Sequence, residues 1–520
     1  MNIMGKIPLV ELDFLSKITK DFLIGENRFP FGKRFDKEEI QSSIGECKFN
    51  QDRRLSLTES LRQQYVNCGM EPANGVFKLT SKNTFTITTG HQLCLFGGPL
   101  FVFYKIASTI SLTRKLNKEN PSFQFIPVFW MATEDHDFEE VSALNVAGEK
   151  VSWISDQEGC VGRMSVDGLK EAFLSLKNVL GSRIGEFNEI IEKALLQENV
   201  SDFYRVFLHG IFGVDELVII DPDDRNLKSA FTDVALLELN GCSKNALDKT
   251  NLELDNLGYH IQVKGREINL FWLESNSRSR IMRDGENFII VGTEKKYTKK
   301  EFEQLVLDFP EKISPNVVLR PVYQQQILPN IITVGGGGEL AYWMQLNRVF
   351  QEFDVFYPML QMRSSHTMLN EKWINKWLKM EFDLPSLFLP PELLKNQFVA
   401  RENVIDIDSE TLKIINAFDE ISVKVVQFEQ SLEAMVGAEK RKVEKQLVGL
   451  NKRLLRLLKN KNKDDLNRID RIIQMVRPEG ILQERYNSIY DFTSCIEEVK
   501  DFVNRNDPTD NTMKVTIRSS

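Results

Sequence analysis

A chain of 520 residues has room for two to four domains of about 150 residues each and for a large core, which excludes a small stapled scaffold. With 42% hydrophobic and 27% charged residues, 17 Pro and 29 Gly, global disorder and a fibrous fold are excluded as well. A net charge of −8 supplies no whole-chain attraction for nucleic acid or for an anionic membrane.

The N-terminal segment breaks its apolar residues with Lys6, Glu11, Asp13 and Lys17, and no stretch approaches the roughly 20 apolar residues that cross a bilayer. Six scattered cysteines (Cys47, Cys68, Cys94, Cys160, Cys242 and Cys495) contain no CxxC pair. That argues against a zinc ribbon and a disulfide framework, and it fits a reducing cytoplasm. From Phe85 the chain alternates strand-like and helix-like segments. The run FTITT leads into a glycine turn, and Pro99 then opens a segment in which Phe101, Lys105, Ser108 and Leu112 fall at helical spacing. The run FQFIPVFWMAT is short, aromatic and nearly continuous, as expected of a strand buried on both faces of a parallel sheet. It stops abruptly at EDHDFEE. Residues 1–150 read as the first half of an α/β core. Residues 151–310 read as connecting insertions with some core elements, including the strand-like ELVIIDPDD. Residues 311–385, with strand-glycine-helix order, read as the second half of the core.

Beyond LPPELL the composition turns to Lys, Arg, Glu and Leu. Ile414, Ile421, Phe428 and Met435 recur every seven residues, with Phe418, Val425 and Leu432 offset from them. Val436, Val443, Leu450 and Leu457 continue a shifted seam with Leu447 and Leu454. This spacing predicts an α-helical coiled-coil arm over 386–505, folded as a hairpin or three-helix unit. KVTIRSS reads as a last strand within a tail, 506–520, that returns to the core.

Several clusters can carry chemistry. Thr89, Gly90, His91 and Gln92 follow a strand, and Gly98 and Pro99 precede a helix. Such a turn offers N–H groups to an anion outside the carboxyl end of a parallel strand, with His91 placed to donate to a phosphoryl group. A helix-capping histidine explains the turn equally well, and no GxxxxGK[ST] loop occurs. Glu134, Asp135, His136 and Asp137 crowd three carboxylates around one imidazole, which suits a substrate ammonium, a ribose hydroxyl or a cation; the bland reading is a solvated acidic loop. With one local histidine and no HExxH pair, no tightly bound metal is expected. Arg320 precedes the run Gly335, Gly336, Gly337 and Gly338, which leads into Glu339; the glycines suit close approach to a ligand or a tight turn. Arg363 and Ser364 follow a further predicted strand as a basic loop able to clamp phosphate.

Taken together, TTGHQLCLFGGPLFVFYK, PVFWMATEDHDFEEV, SPNVVLRPVYQQQILPNI and VGGGGELAYWMQL, in this order and followed by a heptad-rich arm, resemble the bacillithiol biosynthesis cysteine-adding enzymes, the BshC family, essentially from end to end. The resemblance implies a Rossmann-like core related to nucleotidylyltransferases and class I aminoacyl-tRNA synthetases, connecting insertions, and a coiled-coil arm used for homodimerisation. It also implies a reaction in which cysteine is joined to glucosamine-malate. Carried over residue by residue, the family pattern falls on Gly90, His91 and Gln92, on Gly98 and Pro99, on Glu134 to Asp137, and on Arg320, Pro321, Gly335, Gly336, Gly338 and Glu339. Cys94 or its neighbour departs from the family's small residue in the first segment. Because an amine and a carboxylate do not condense unaided, activation by ATP with Mg2+ is the expected chemistry. His91 and the helix start near Pro99 would stabilise the phosphates. Asp135, His136 and Asp137, with Glu134, would hold the cysteine ammonium or deprotonate the amine, and Arg363 to Ser365 would be a counterpart of the synthetases' mobile phosphate loop. A nucleotidylyltransferase acting on another small metabolite and an inactive nucleotide-binding scaffold are the alternatives.

Overall fold

The computed structural model describes residues 2–25, 31–213, 217–401 and 407–518, so Glu216, Ser519 and Ser520 of the segments read above lie outside the described residues. The chain forms two units, one of Met1–Met368 with Gln483–Arg518 and one of Leu369–Leu482.

The first unit is built on five parallel strands: β1 (Thr84–His91), β2 (Gln124–Met131), β3 (Val218–Ile220), β4 (Asn330–Gly335) and β5 (Met359–Met362). They lie in the order β5-β4-β1-β2-β3, and one row of the sheet runs Leu360, Thr333, Thr88, Val128, Val218. Nearly every residue of these strands is buried, which is why their sequences are continuous apolar or β-branched runs rather than alternating ones. β1 has β2 on one side and β4 on the other. Strand order therefore reverses between β1 and β4, and a crevice opens there at the carboxyl ends.

Helix α1 (Leu100–Glu119) follows β1, and helix α2 (Gly337–Gln345) follows β4. α1 is buried around most of its circumference and still carries Ser108, Thr109 and Thr113. These hydroxyls are satisfied by donating to carbonyls four residues back, at 2.6, 2.9 and 2.7 Å, so the polar residues cost the helix little. Residues 151–310 contribute β3 to the parallel sheet, and most of a separate antiparallel sheet as well. That sheet runs Lys296–Thr298, Asn287–Ile290, Ser277–Asp284, Leu270–Glu274 and Ile313–Pro315 in spatial order. The last strand, Thr512–Arg518, pairs antiparallel with Asn2–Pro8.

The second unit is helical, with Glu371–Lys379, Pro391–Arg401, Asp408–Phe428, Glu433–Lys461 and Lys463–Val476 as its main elements. It begins at Leu369 and ends at Leu482, so the 386–505 boundaries read from composition do not hold: Gln483 to Arg505 belong to the first unit. The physical reason is a set of buried polar contacts. The Met368 N–H donates to Gln483 Oε1 at 2.7 Å, and Gln483 Nε2 donates to the Met368 carbonyl at 2.9 Å. Arg363 meets Glu484 in a two-pronged ion pair in which both side chains are almost fully buried. Among the described residues, no helix is long and apolar enough to cross a membrane.

Candidate active site

A cavity of about 590 Å³ lies where strand order reverses, lined by residues from β1, β2, α1 and α2 together with Arg278, Asn316, Arg320, Arg363 and Arg485. Gly90 and His91 end β1. Gly90 is required sterically: a Cβ there would lie 2.8 Å from Arg320 Nη2 and 2.9 Å from the Trp130 carbonyl oxygen. The Arg320 guanidinium instead stacks 5.0 Å over the Trp130 ring.

His91 packs edge-on against Phe101, with ring centroids 5.1 Å apart. Burial, with Lys105 adding, pushes its pKa down to about 3, so the ring is neutral at physiological pH. Its Nδ1 lies 3.2 Å from the Gln92 carbonyl and 3.5 Å from Cys94 Sγ. A carbonyl can only accept, so the shorter contact assigns the ring proton to Nδ1 and leaves a lone pair on Nε2. In this tautomer the Nε2 lone pair is arranged to accept a hydrogen bond, while burial disfavours the protonated ring.

Beneath it sits Lys105, fully buried in α1. Its Nζ donates to the Gly90 carbonyl at 3.0 Å and lies 2.6 Å from Glu339 Oε2. The same Glu339 oxygen accepts the Gly336 N–H at 2.9 Å, capping α2. Burial pulls the Lys105 ammonium down while Glu339 pulls it back. Burial pushes Glu339 up, but Lys105 and the Gly336 N–H outweigh it and hold the carboxylate low. Glu339 faces the cavity yet is committed to Lys105 and to the helix end. Gly336 and Gly338 also line the cavity, and a Cβ at Gly338 would meet nothing within 4 Å, so the backbone there is open to close approach.

The acidic cluster disperses. Asp135 lines the cavity, where Gln92 Nε2 donates to it at 2.6 Å and to Glu140 at 2.8 Å. Glu134 also lines the cavity, but it is nearly buried and paired at 2.5 Å with Lys228, which also holds Asp223 at 2.7 Å. Burial raises Glu134 despite Lys228. Burial would raise Asp223 too, but Lys228 and Arg163 hold it down at about 2. His136 turns away to Arg278, whose Nη1 lies 3.4 Å from its Nδ1. Asp137 caps the helix Phe138–Val141, accepting the Glu140 N–H. Neither His136 nor Asp137 is among the residues lining the cavity.

Other candidates are structural. Thr89 Oγ1 donates to the Val334 carbonyl, tying β1 to β4. The Gly335 carbonyl accepts the Arg363 N–H. Gly98 has φ +67° and leaves no room for a Cβ, which would lie 2.5 Å from Cys94 Cβ. The start of α1 is not open to phosphate, because the Leu100 N–H donates to the Asn487 carbonyl and Pro99 bridges Ser488. Nor do Arg363 to Ser365 form an open basic loop. Arg363 lines the cavity but is held by Glu484, and Ser364 Oγ lies 2.9 Å from Ser108 Oγ in the core.

Sequence reasoning missed Lys105, Trp130, Arg278 and Arg485, all of which line the cavity, and Lys228 behind it. Lys105 stood in the sequence only as one position of the helical stripe with Phe101, Ser108 and Leu112. Arg485 and Lys228 carried no signal, since their roles depend on segments distant in the chain.

Comparison with known proteins agrees with this architecture. Residues 8–364 match the family model described as bacillithiol biosynthesis BshC, N-terminal Rossmann-like domain, and residues 366–517 match the BshC C-terminal coiled-coil domain. Among curated relatives, a protein of Christiangramia forsetii is 38% identical over 515 residues, covering 96% of this chain and 94% of its own. One of Flavobacterium johnsoniae is 36% identical and covers 92% of each chain. One of Cytophaga hutchinsonii is 34% identical and covers 94% of this chain and 93% of its own. All three bear the name "Putative cysteine ligase BshC".

Proposed function

The chain belongs to the BshC family of bacillithiol biosynthesis, and from that premise we propose that it is a cysteine ligase, joining L-cysteine to the amine of glucosamine-malate in an amide bond with ATP activating the cysteine carboxyl. A carboxylate lacks a leaving group, so it must be activated first. A cysteine carboxylate oxygen attacks the α-phosphorus of ATP, and the Pα–O bond to pyrophosphate breaks. The amine then attacks the acyl carbon, AMP departs with the bonding electron pair, and the amine gives up a proton.

The residues suit these steps. His91, neutral at pH 7 with its lone pair on Nε2, accepts a hydrogen bond from the attacking amine and orients it, while the proton the amine loses passes to solvent. Asp135, steadied by Gln92, holds the cysteine ammonium. Arg320, stacked on Trp130 and with no carboxylate partner among the described residues, faces phosphate charge. The open backbone at Gly338 allows the nucleotide, entering as its Mg2+ salt, to approach closely. The observation that supports this reading most is that His91, Asp135 and Arg320 line one cavity at the reversal of strand order.

The test is to measure low-molecular-weight thiols by mass spectrometry in cells with and without this gene, restored with wild type or with His91→Ala. Loss of bacillithiol with build-up of glucosamine-malate is expected, reversed by wild type and not by the variant. Unchanged thiols without precursor build-up would overturn the reading.

A further inference from the structure

The Phe101 ring in the cavity lies under three cationic groups, Lys105 Nζ at 5.7 Å, Arg363 Cζ at 5.6 Å and Arg485 Cζ at 5.7 Å. Two of them are neutralised by carboxylates: Lys105 by Glu339 and Arg363 by Glu484. Arg485 has no carboxylate partner among the described residues, although it follows Glu484 directly in the chain. The segment carrying it is fixed on both sides. Before it, Gln483 bonds both backbone groups of Met368, and Glu484 grips Arg363. After it, the Asn487 carbonyl accepts the Leu100 N–H and Ser488 bridges Pro99. Arg485 is itself exposed, but it stands on a backbone pinned by buried bonds and lines the cavity, which distinguishes it from a solvated surface charge on a mobile loop. The neighbouring His91 is uncharged and cannot supply the missing cation.

We propose that Arg485 is a substrate-binding residue that receives an oxyanionic group in the cavity, so that the C-terminal return of the chain completes the site. The identity of the oxyanion rests on the ligase reading, which offers two sources: the phosphates of ATP and the carboxylates of the malate moiety. Both are met by the same charge-assisted, forked hydrogen bonding.

The experiment is calorimetric titration of the full-length protein with ATP and, separately, with glucosamine-malate, for wild type, Arg485→Gln and Arg485→Lys, with product formation measured in parallel. Loss of one charge-assisted contact predicts about a tenfold or larger rise in Kd in Arg485→Gln, smaller in Arg485→Lys, at an unchanged unfolding temperature. A rise confined to ATP assigns the oxyanion to phosphate, and one confined to glucosamine-malate assigns it to the malate carboxylates. Unchanged Kd for both, a wild type that takes up neither, or a weakened affinity that merely follows a lowered unfolding temperature would overturn the proposal. Tight binding lost in Arg485→Gln without any amide product from wild type would sink the ligase reading and leave Arg485 in place. Amide formation at wild-type KM for both substrates in Arg485→Gln would do the reverse.

Discussion

At Gly90, beside the cavity, the backbone packs too closely against Arg320 and Trp130 to admit any side chain. The glycine does not need a left-handed backbone; it needs the absence of a Cβ between the Arg320 guanidinium and the Trp130 carbonyl, at 2.8 and 2.9 Å. The guanidinium can swing aside, but the carbonyl is fixed in the β1–β2 ladder. Gly90→Ala is therefore expected to lower unfolding stability by about 1–3 kcal/mol, measured by chemical denaturation, and to raise KM because Arg320 loses its place over Trp130. A variant with wild-type stability and KM would refute the steric argument. Much at this scale was legible: the turn holding Gly90, His91 and Gln92, Asp135, Arg320 and the glycines before Glu339 could be picked out from residue type and position after a strand. Lys105 was not, because Phe101, Lys105, Ser108 and Leu112 read simply as one helical stripe. Only the fold reveals that the lysine is buried against the carbonyl of Gly90 and the carboxylate of Glu339.

The C-terminal return, Gln483–Arg518, is held by buried polar joints that no local pattern announces. Arg363 and Glu484 are 121 residues apart, and RPEGILQERY carries the same helix-forming composition as the arm, so the sequence assigned it there. Removing one partner leaves a buried charge without compensation: Glu484→Gln is expected to cost about 3–5 kcal/mol in chemical denaturation, and Arg363→Met with Glu484→Leu to recover much of it. A loss under 1 kcal/mol in the single variant would show the pair to be solvated. His366 is a second joint. Its Nε2 faces Asn506 at 3.1 Å, its Nδ1 faces Thr516 at 3.3 Å, and its ring packs against both Tyr104 and Phe502, which stack on each other. Burial, then Lys514, pushes its pKa down to about 3. From about pH 6.5 down to pH 3 the unfolded chain binds a proton here that the folded chain refuses, so stability falls as pH falls. This histidine alone withdraws about 2 kcal/mol between pH 7 and pH 5. His366→Gln should flatten that dependence in denaturation curves at the two pH values, and an equal slope in both proteins would count against it.

For the molecule as a whole, the parallel sheet was readable because its buried strands are unbroken apolar runs. The strand order was not readable, since β4 and β5 join β1 from more than 200 residues away. The heptads of the helical unit carry a further consequence. Helices Asp408–Phe428 and Glu433–Lys461 run antiparallel, with Asp419 paired to Lys440 and Asp408 meeting Asn451. Each seam splits between two faces: Phe418, Val425, Leu432, Val443, Leu447 and Leu454 are half-buried and Val436 is buried, whereas Ile414, Ile421, Phe428, Met435, Leu450 and Leu457 are exposed, Phe428 at 88%. One face therefore closes the hairpin and the other is left in water, where apolar side chains at coiled-coil spacing favour association. The homodimer that the BshC resemblance implies would cover this face with a second copy of the chain. Light scattering is expected to give about twice the 60.0 kDa chain mass for wild type, and the single-chain mass for Ile421→Glu with Phe428→Glu. Both substitutions lie at exposed positions, so the fold should remain intact by circular dichroism. A wild type that remains single at micromolar concentration would overturn the assignment.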